Sequence, residues 1–355
     1  MVEGSFFRQR VAIATLAGLL AAFAVTGAQA QNSVQNEVRV SPTAADQAAT
    51  KQATHLSHHA TPTRTPSGWA SRGAEIFTAR PASSEATTAA DPVPLVRYPA
   101  DVVFQGGAVV ENAESHAVYM LPNGECEISR CWGNPEGFLR DLGISEFIHV
   151  TDQYTGLSTG GRYTVGRRAR VDFTPSSVPL TDADILAVVH SVASVTGQTG
   201  YGHIYHVFLP QGTDECFDAT FKTCYSPDNN ATFFFCAYHG SADFTDIGHV
   251  LYSVEPYQNV IGCEARPGTP NGTLVDSTND TLSHELFETI SDPDGTGWWN
   301  STPSVTGLYG EEIGDECVFV FPPYYGDPSV FTIGTRLYAV QLEYSNSHHG
   351  CTNEP

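Results

Sequence analysis

The chain has 355 residues, of which 39 are Asp or Glu and 17 are Lys or Arg, so its formal charge at pH 7 is −22. A surface this acidic repels nucleic-acid phosphates and anionic membranes, and it attracts cations. The composition therefore argues against a nucleic-acid partner and favours an affinity for metal ions.

The first thirty residues are organised like a secretory signal peptide. Arg8 and Arg10 precede an apolar run over residues 11–25, and residues 28–30 read Ala-Gln-Ala. Small side chains at this exit suit signal peptidase, which predicts a mature chain that starts at Gln31. The apolar run is shorter than the about 20 residues of a membrane-spanning helix, which disfavours an uncleaved anchor. We predict a secreted protein, extracellular or periplasmic, without membrane contact after cleavage.

Residues 31–95 are rich in Ala, Thr, Ser, Pro and Gln, and Trp69 and Phe77 are their only aromatic residues. Such a composition does not bury enough apolar surface to offset the entropy of ordering, so we predict disorder. Two roles stay open for this segment, a linker and a pro-segment that masks an active site. It carries five residues of each charge, so the acidic excess belongs to a single domain over residues 96–355.

All eight cysteines lie in this domain, and their even number in an exported chain indicates disulfides. No CxxC motif is present, which disfavours a zinc ribbon. Pairing in sequence order closes the shortest loops and predicts four bonds, namely 126–131, 216–224, 236–263 and 317–351.

Aromatic and β-branched runs alternate with Gly, Pro and Asn from residue 96 onwards. The predicted strands cover residues 102–110, 117–121, 147–151, 167–173, 203–209, 232–238, 249–254, 317–321 and 337–344. Two helices are predicted. The first begins after the N-cap Thr181 and ends at Gly197, and the second covers residues 279–290. The expected fold class is α+β, a mixed sheet with two main helices, stapled by disulfides.

The second predicted helix carries the residues best suited to chemistry. His284 and Glu288 are four residues apart and share one face, roughly opposite an apolar stripe. A His and a carboxylate at this spacing can hold one divalent metal, as the two histidines of an HExxH helix do. Glu285 would then be the general base that takes a proton from metal-bound water. Asp292 continues the same stripe beyond the end of the helix.

A metal on this helix needs a further protein ligand from elsewhere in the chain. The acidic run over residues 310–317 supplies two candidates, Glu312 and Asp315. Zn2+ is the predicted ion, although Glu288 in place of a second His also suits Ca2+ or Mn2+. His239 is ambiguous, since it could belong to the core or reach a cleft. The alternative for the whole region is a polar helix face and a solvated acidic turn without metal.

Residues 283–299 read SHELFETISDPDGTGWW and residues 310–317 read GEEIGDEC. This pattern resembles bacterial secreted proteins with an SHExxExxxDP…W…GxEIGDxC signature, which are distantly similar to the phosphate-induced protein 1 (EXORDIUM-like) family of plant walls. Residues 236–240 and 338–346 extend the resemblance over most of the domain. It implies a zincin-like fold and a metallopeptidase centre around His284, Glu285 and Glu288. The plant members lack the His-Glu pair, so the resemblance implies the fold more strongly than catalysis.

The sequence thus predicts a secreted metal-dependent hydrolase, a zincin-like peptidase that acts on a peptide or cell-wall substrate. Glu285 is the predicted catalytic residue. The predicted metal ligands are His284, Glu288, Asp292, Glu312 and Asp315. The alternative is a non-catalytic extracellular or cell-wall-associated module with a structural cation or with no metal.

Overall fold

The computed structural model describes residues 37–62, 101–122, 127–174, 178–300, 312–317 and 328–355. The predicted signal peptide and most of the segment predicted to be disordered lie outside these residues. Backbone contacts divide the chain into two units, residues 1–37 and residues 38–355. The elements described below belong to the second unit, except that the first strand begins with Glu37.

The strands in the described residues are numbered here in chain order. They are β1 (Glu37–Val40), β2 (Thr54–Pro62), β3 (Val103–Phe104), β4 (Ala113–Pro122), β5 (Tyr163–Val165), β6 (Arg168–Phe173), β7 (Leu180–Thr181), β8 (His203–Phe208), β9 (Glu215–Cys216), β10 (Cys224–Tyr225), β11 (Phe235–Phe244), β12 (Gly248–Glu255), β13 (Trp298–Trp299), β14 (Ser329–Ile333), β15 (Arg336–Val340), β16 (Glu343–Ser345) and β17 (Gly350–Thr352).

Six α-helices and two 3-10 turns complete the described part of the fold. The helices are α1 (Ala44–Thr50), α2 (Ile128–Cys131), α3 (Pro135–Gly143), α4 (Asp152–Thr155), α5 (Asp182–Thr196) and α6 (Thr273–Ser291), and the 3-10 turns are Phe147–Thr151 and Asp315–Cys317. Among these residues, none of the helices is both long and apolar enough to cross a membrane.

An eight-stranded sheet with a parallel centre forms the middle of the molecule. Its order is β1-β6-β4-β8-β12-β11-β2, and β5 also pairs with β4. The pairs among β6, β4, β8 and β12 are parallel, whereas β11 is antiparallel to both β12 and β2. The fold is therefore mixed α/β and contains more parallel pairing than the predicted α+β class. Parallel strands need crossover connections, and α5 lies in the one between β6 and β8.

Both faces of this sheet are buried under helices. Residues of β4 at odd positions pack with α3 and α6 in one apolar cluster, whereas those at even positions pack with α5 in the other. Successive side chains of a strand point to opposite faces, so one strand serves both clusters. The result is a layered arrangement in which α6, the helix predicted to carry the metal ligands, lies against one face of the sheet.

The predicted helix over residues 182–196 is confirmed as α5. Its capping box joins Thr181 and Asp184, since Asp184 Oδ2 accepts the Thr181 backbone N–H at 2.9 Å. The helix ends at Gly197, whose φ of 70° is the left-handed conformation that glycine adopts most readily. The predicted helix over residues 279–290 is also present, but α6 begins six residues earlier, at Thr273.

Residues 37–62 form β1, α1 and β2, so the prediction of disorder was wrong for this part of residues 31–95. Val38 and Val40 are buried in the cluster beneath α5. Asp46 Oδ1 of α1 lies 2.7 Å from His190 Nδ1 of α5. The strand β2 pairs with β11 at the edge of the sheet. The composition of the whole segment does not reveal these two strands. They are stabilised by contacts with the rest of the domain rather than by local propensity.

Three predicted strands differ from the structure. Residues 147–151 form a 3-10 turn, in which the Thr151 hydroxyl donates a hydrogen bond to the Ile148 carbonyl and overrides the β-branched propensity. Of residues 102–110, only Val103 and Phe104 are in a strand. Cys317 belongs to a 3-10 turn, and residues 318–321 lie outside the described residues.

Three of the four predicted disulfides are confirmed, namely 216–224, 236–263 and 317–351. The fourth includes Cys126, which lies outside the described residues. The bond from Cys236 ties β11 to the loop before α6, and the bond from Cys317 ties the acidic turn to β17. Two disulfides therefore restrain the elements that surround the candidate site.

Candidate metal centre

Carboxylates on the first half of α6 fix the helix against the strand β15. Asp276 Oδ1 accepts the backbone N–H of Ala339 at 3.3 Å, and Asp280 Oδ1 accepts that of Gln341 at 2.6 Å. Hydrogen bonds to charged acceptors are stronger than neutral ones, so they position the helix well. The second half of α6, which carries His284 and Glu288, is thereby held between β11 and the C-terminal segment.

Gly314 brings the acidic turn over residues 312–317 into contact with α6. A Cβ atom at this position would lie 2.8 Å from His284 Nδ1 and 2.9 Å from Glu288 Oε1, closer than side chains tolerate. The next residue, Asp315, donates its backbone N–H to Glu288 Oε1 at 2.9 Å. The Gln341 side chain donates to the Gly314 carbonyl at 2.9 Å and supports the turn from the other side.

The first set of convergent donors consists of His284, Glu288 and Asp315. His284 Nε2 lies 3.1 Å from Glu288 Oε1 and 3.8 Å from Asp315 Oδ1. The first distance is that of an ion pair if His284 is protonated. Imidazole and carboxylate donors that lie this close together in a buried region are also the arrangement that ligands of one metal ion adopt. These three residues could hold a metal ion.

The second set consists of His239, Glu288 and Glu312, and it shares Glu288 with the first. His239 Nε2 lies 3.1 Å from Glu312 Oε2 and 3.7 Å from Glu288 Oε2. The side chains of all three residues are fully buried. This set could also hold a metal ion, and β11 supplies its histidine.

The structure brings together four of the residues that the sequence predicted as ligands, His284, Glu288, Glu312 and Asp315. Asp292 is in neither set. Its Oδ1 accepts the backbone N–H of Gly297 at 2.6 Å, in the turn that follows α6.

Glu285, the predicted general base, is fully buried on α6 and is also in neither set of donors. Its negative charge nevertheless helps to raise the pKa of His284. The two residues are therefore close enough to interact electrostatically, which is compatible with a role beside the centre.

Two buried residues near the centre, His239 and Glu343, are not among the ligands predicted from the sequence. On β11, Tyr238 and Ala242 pack in the cluster with α5, so the alternate residues His239 and Ser241 point to the α6 side. Buried polar residues at alternate positions of a strand are the signal that could have identified His239. Glu343 is fully buried and close enough to His284 and Glu288 for their charges to affect its pKa.

Burial and neighbouring charges have opposite effects on the pKa values of residues in this region. Burial by itself lowers the pKa of His284, but the carboxylates of Glu288, Glu285 and Asp315 together outweigh burial and raise that pKa well above its usual value. Burial raises the pKa of Glu343 well above the ordinary value for a glutamate. Buried carboxylates without a compensating cation are costly, and a proton on His284 or a metal ion can supply the positive charge.

A third set with the geometry of a metal site lies elsewhere and is partly exposed. It consists of Glu114, His116 and His203 at the beginnings of β4 and β8. His116 Nε2 lies 3.1 Å from His203 Nδ1, and the Arg167 carbonyl oxygen lies 3.0 Å from His116 Nδ1. A hydrogen bond between the two rings accounts for this arrangement without an ion.

No protein-family profile, no curated protein and no solved structure matches the chain. The resemblance to bacterial secreted proteins and to the phosphate-induced protein 1 family therefore stays a prediction from the sequence motifs.

Proposed function

We propose that the protein is a secreted metal-dependent hydrolase whose metal is bound by His284, Glu288 and Asp315. The observation that carries the proposal is the convergence of these three side chains. Their donor atoms lie within 4.8 Å of one another, and Nε2 of the fully buried His284 faces both carboxylates without meeting a hydrogen-bond partner among the described residues. A buried polar atom without a partner is costly, and a bound metal ion would satisfy Nε2.

Zn2+ is the proposed ion, with Mn2+ as its closest competitor. A set of imidazole and carboxylate donors suits both metals, whereas Ca2+ prefers oxygen ligands throughout. The imidazole of His284 in the ligand set therefore argues against calcium. When bound, such an ion polarises a carbonyl and lowers the pKa of water to about 7.

The residues around the centre have distinct proposed roles. His284 and Glu288 anchor the ion from α6, which is held rigidly by its contacts with β15. The Asp315 side chain, on the acidic turn, is 8% exposed, whereas those of His284 and Glu288 are fully buried. Glu285 is the candidate base, since it adjoins His284 on the same buried helix.

A peptide is the proposed substrate, and a zincin-like fold is the proposed relationship. Both rest on the resemblance of residues 283–299 and 310–317 to bacterial secreted proteins of zincin type, and a cell-wall polymer is the alternative substrate. Export rests on the N-terminal motif, and the three disulfides among the described residues support an oxidising compartment.

The burial of the ligands favours a second candidate, a non-catalytic extracellular module with a structural cation. His239, His284, Glu288 and Glu312 are all fully buried, and structural metal sites are closed in this way. Both candidates predict a bound metal, but only the hydrolase predicts turnover.

Glu285→Gln tests the hydrolase directly. The mature protein, loaded with zinc, is assayed on a library of internally quenched peptides, and its metal content is measured in parallel. We expect hydrolysis by the wild type, a loss of at least 100-fold in Glu285→Gln, and unchanged metal content. Glu215→Gln is the matched control, because it removes another fully buried carboxyl group, hydrogen-bonded to Tyr238 in the other cluster.

Full activity in Glu285→Gln would refute the assigned base. Absence of hydrolysis on peptides and on cell-wall polymers, with metal bound, would refute the hydrolase and leave the structural module.

A further inference from the structure

We infer that the buried centre binds two divalent ions, bridged by the Glu288 carboxylate. One ion is held by His284 and Asp315, and the other by His239 and Glu312. The inference rests on the proposed metal site of the hydrolase and extends it to a second ion.

The two oxygens of Glu288 face different histidines. Oε1 lies 3.1 Å from His284 Nε2, whereas Oε2 lies 3.7 Å from His239 Nε2. A carboxylate that presents one oxygen to each of two ligand sets is in the position of a bridge between two ions. Metal pairs in hydrolytic enzymes are about 3.5–4 Å apart, a span that one carboxylate can bridge.

The five residues do not converge on a single point. Each set of three has donor atoms within 4.8 Å of one another, but the two histidines do not fall into one set together. Zinc bonds to nitrogen and oxygen measure about 2.0–2.2 Å, so two donors to one ion lie at most about 4.4 Å apart. One ion can therefore use either set, and all five residues are used only if there are two ions.

A purely structural role for the second set leaves part of Glu288 unexplained. His239 and Glu312 can form a hydrogen bond at 3.1 Å without an ion. Glu288 Oε2, however, is fully buried and has no hydrogen-bond partner among the described residues. An ion shared with His239 and Glu312 would satisfy this oxygen. Each ion would then have one histidine, one carboxylate of its own (Asp315 or Glu312) and the shared Glu288 as ligands.

The number of ions is measured on the mature protein with His203→Ala as the background. This substitution disrupts the partly exposed set of Glu114, His116 and His203, which could otherwise add an ion to the count. The protein is stripped of metal and titrated with Zn2+ in a calorimeter, and bound zinc is counted by elemental analysis after dialysis. We expect about two ions per chain.

Single substitutions then assign each ion to its set. In the same background, His239→Ala and His284→Ala should each reduce the count to about one. Glu215→Gln should retain two, because it removes a buried carboxyl group elsewhere. Saturation of the unsubstituted centre at one ion would overturn the inference.

A measurement without substitutions in the centre covers the case in which these variants fail to fold. The His203→Ala protein loaded with Mn2+ should give the electron paramagnetic resonance signal of an exchange-coupled pair. X-ray absorption should show a metal–metal vector at about 3.5–4 Å. Signals of isolated ions only would reject the pair.

The outcomes separate this inference from the proposed function. One ion with hydrolysis that depends on Glu285 would reject the pair and retain the hydrolase. Two ions without hydrolysis would retain the pair and reject the hydrolase.

Discussion

The Nε2 atom of His284 lies 3.1 Å from the Oε1 atom of Glu288, one helical turn along α6. Both side chains are fully buried, and the backbone N–H of Asp315 approaches the same carboxylate oxygen. Asp315 Oδ1 lies 3.8 Å from the same ring nitrogen, so three buried donors lie close enough together to hold one metal ion.

Metal removal is expected to destabilise the protein. An ion that binds only the folded state stabilises it by about 2.7 kcal/mol at a free concentration 100 times its Kd. We therefore expect excess Zn2+ to raise the Tm of the chelator-treated protein by several degrees, as followed by circular dichroism. Glu288→Gln should abolish this increase, because Glu288 belongs to both sets. An equal increase in that variant would place the stabilising ion elsewhere.

Gly314→Ala is expected to weaken metal binding. The added Cβ would lie 2.8 Å from His284 Nδ1 and 2.9 Å from Glu288 Oε1, so the acidic turn or the ligands must move. A displacement of this kind should reduce zinc affinity at least tenfold, which calorimetric titration can measure. Gly160→Ala is the control, since a Cβ there meets no atom within 4 Å. Equal affinities in the two variants would contradict the close packing of turn and helix.

The stability of the protein is expected to fall in acid because of His206. Burial lowers the pKa of His206 to about 3, and its Nδ1 lies 2.8 Å from the Ser253 hydroxyl. Below pH 6.5 the His206 side chain is protonated in the unfolded chain, whereas in the folded protein it stays neutral down to about pH 3. The free energy of unfolding therefore decreases as the pH falls through this range. The expected contribution approaches about 1.4 kcal/mol per pH unit within this window.

Urea unfolding of the wild type and of His206→Gln at pH 7, 5.5 and 4.5 checks this prediction. As the pH falls from 7 to 4.5, the unfolding free energy of the wild type should decrease more than that of His206→Gln. A difference that stays constant over this range would show that His206 takes up a proton in the folded protein as readily as in the unfolded chain.

Removal of residues 37–62 is expected to destabilise the domain. Val38 and Val40 are buried against the cluster of α5, and burial of one such side chain contributes about 1.5–3 kcal/mol. A chain that starts at Thr63 should therefore be less stable by about 3 kcal/mol or more than one that starts at Glu37. It should also self-associate, because removal of β2 exposes the edge of β11.

Urea unfolding and size-exclusion chromatography of the two chains check this prediction. Unchanged stability combined with a gain of hydrolytic activity would instead identify residues 37–62 as a removable pro-segment.

The sequence predicted those features that depend on local chemistry. Thr181 and Gly197 are cap residues, so the bounds of α5 could be predicted from neighbouring residues alone. The spacing of His284 and Glu288 is a property of any helix. Three disulfide pairs followed from sequence order because the loops between them are short.

The features that depend on tertiary contacts could not be predicted in the same way. His239 approaches Glu288 only because β11 pairs with β12 and lies beneath α6. Residues 37–62 are ordered because the domain offers them a sheet edge and an apolar surface. Glu343 reaches the centre through the hydrogen bonds that attach the C-terminal segment to α6.

The most direct test of the metal centre is elemental analysis of the purified mature protein, compared with the His284→Ala/Glu288→Ala double variant. Glu215→Gln serves as the folded control, and circular dichroism verifies the fold of every variant. We predict at least one zinc or manganese per wild-type chain, retained in the control and lost from the double variant. A wild-type protein without stoichiometric metal, even after zinc has been added back, would contradict the account.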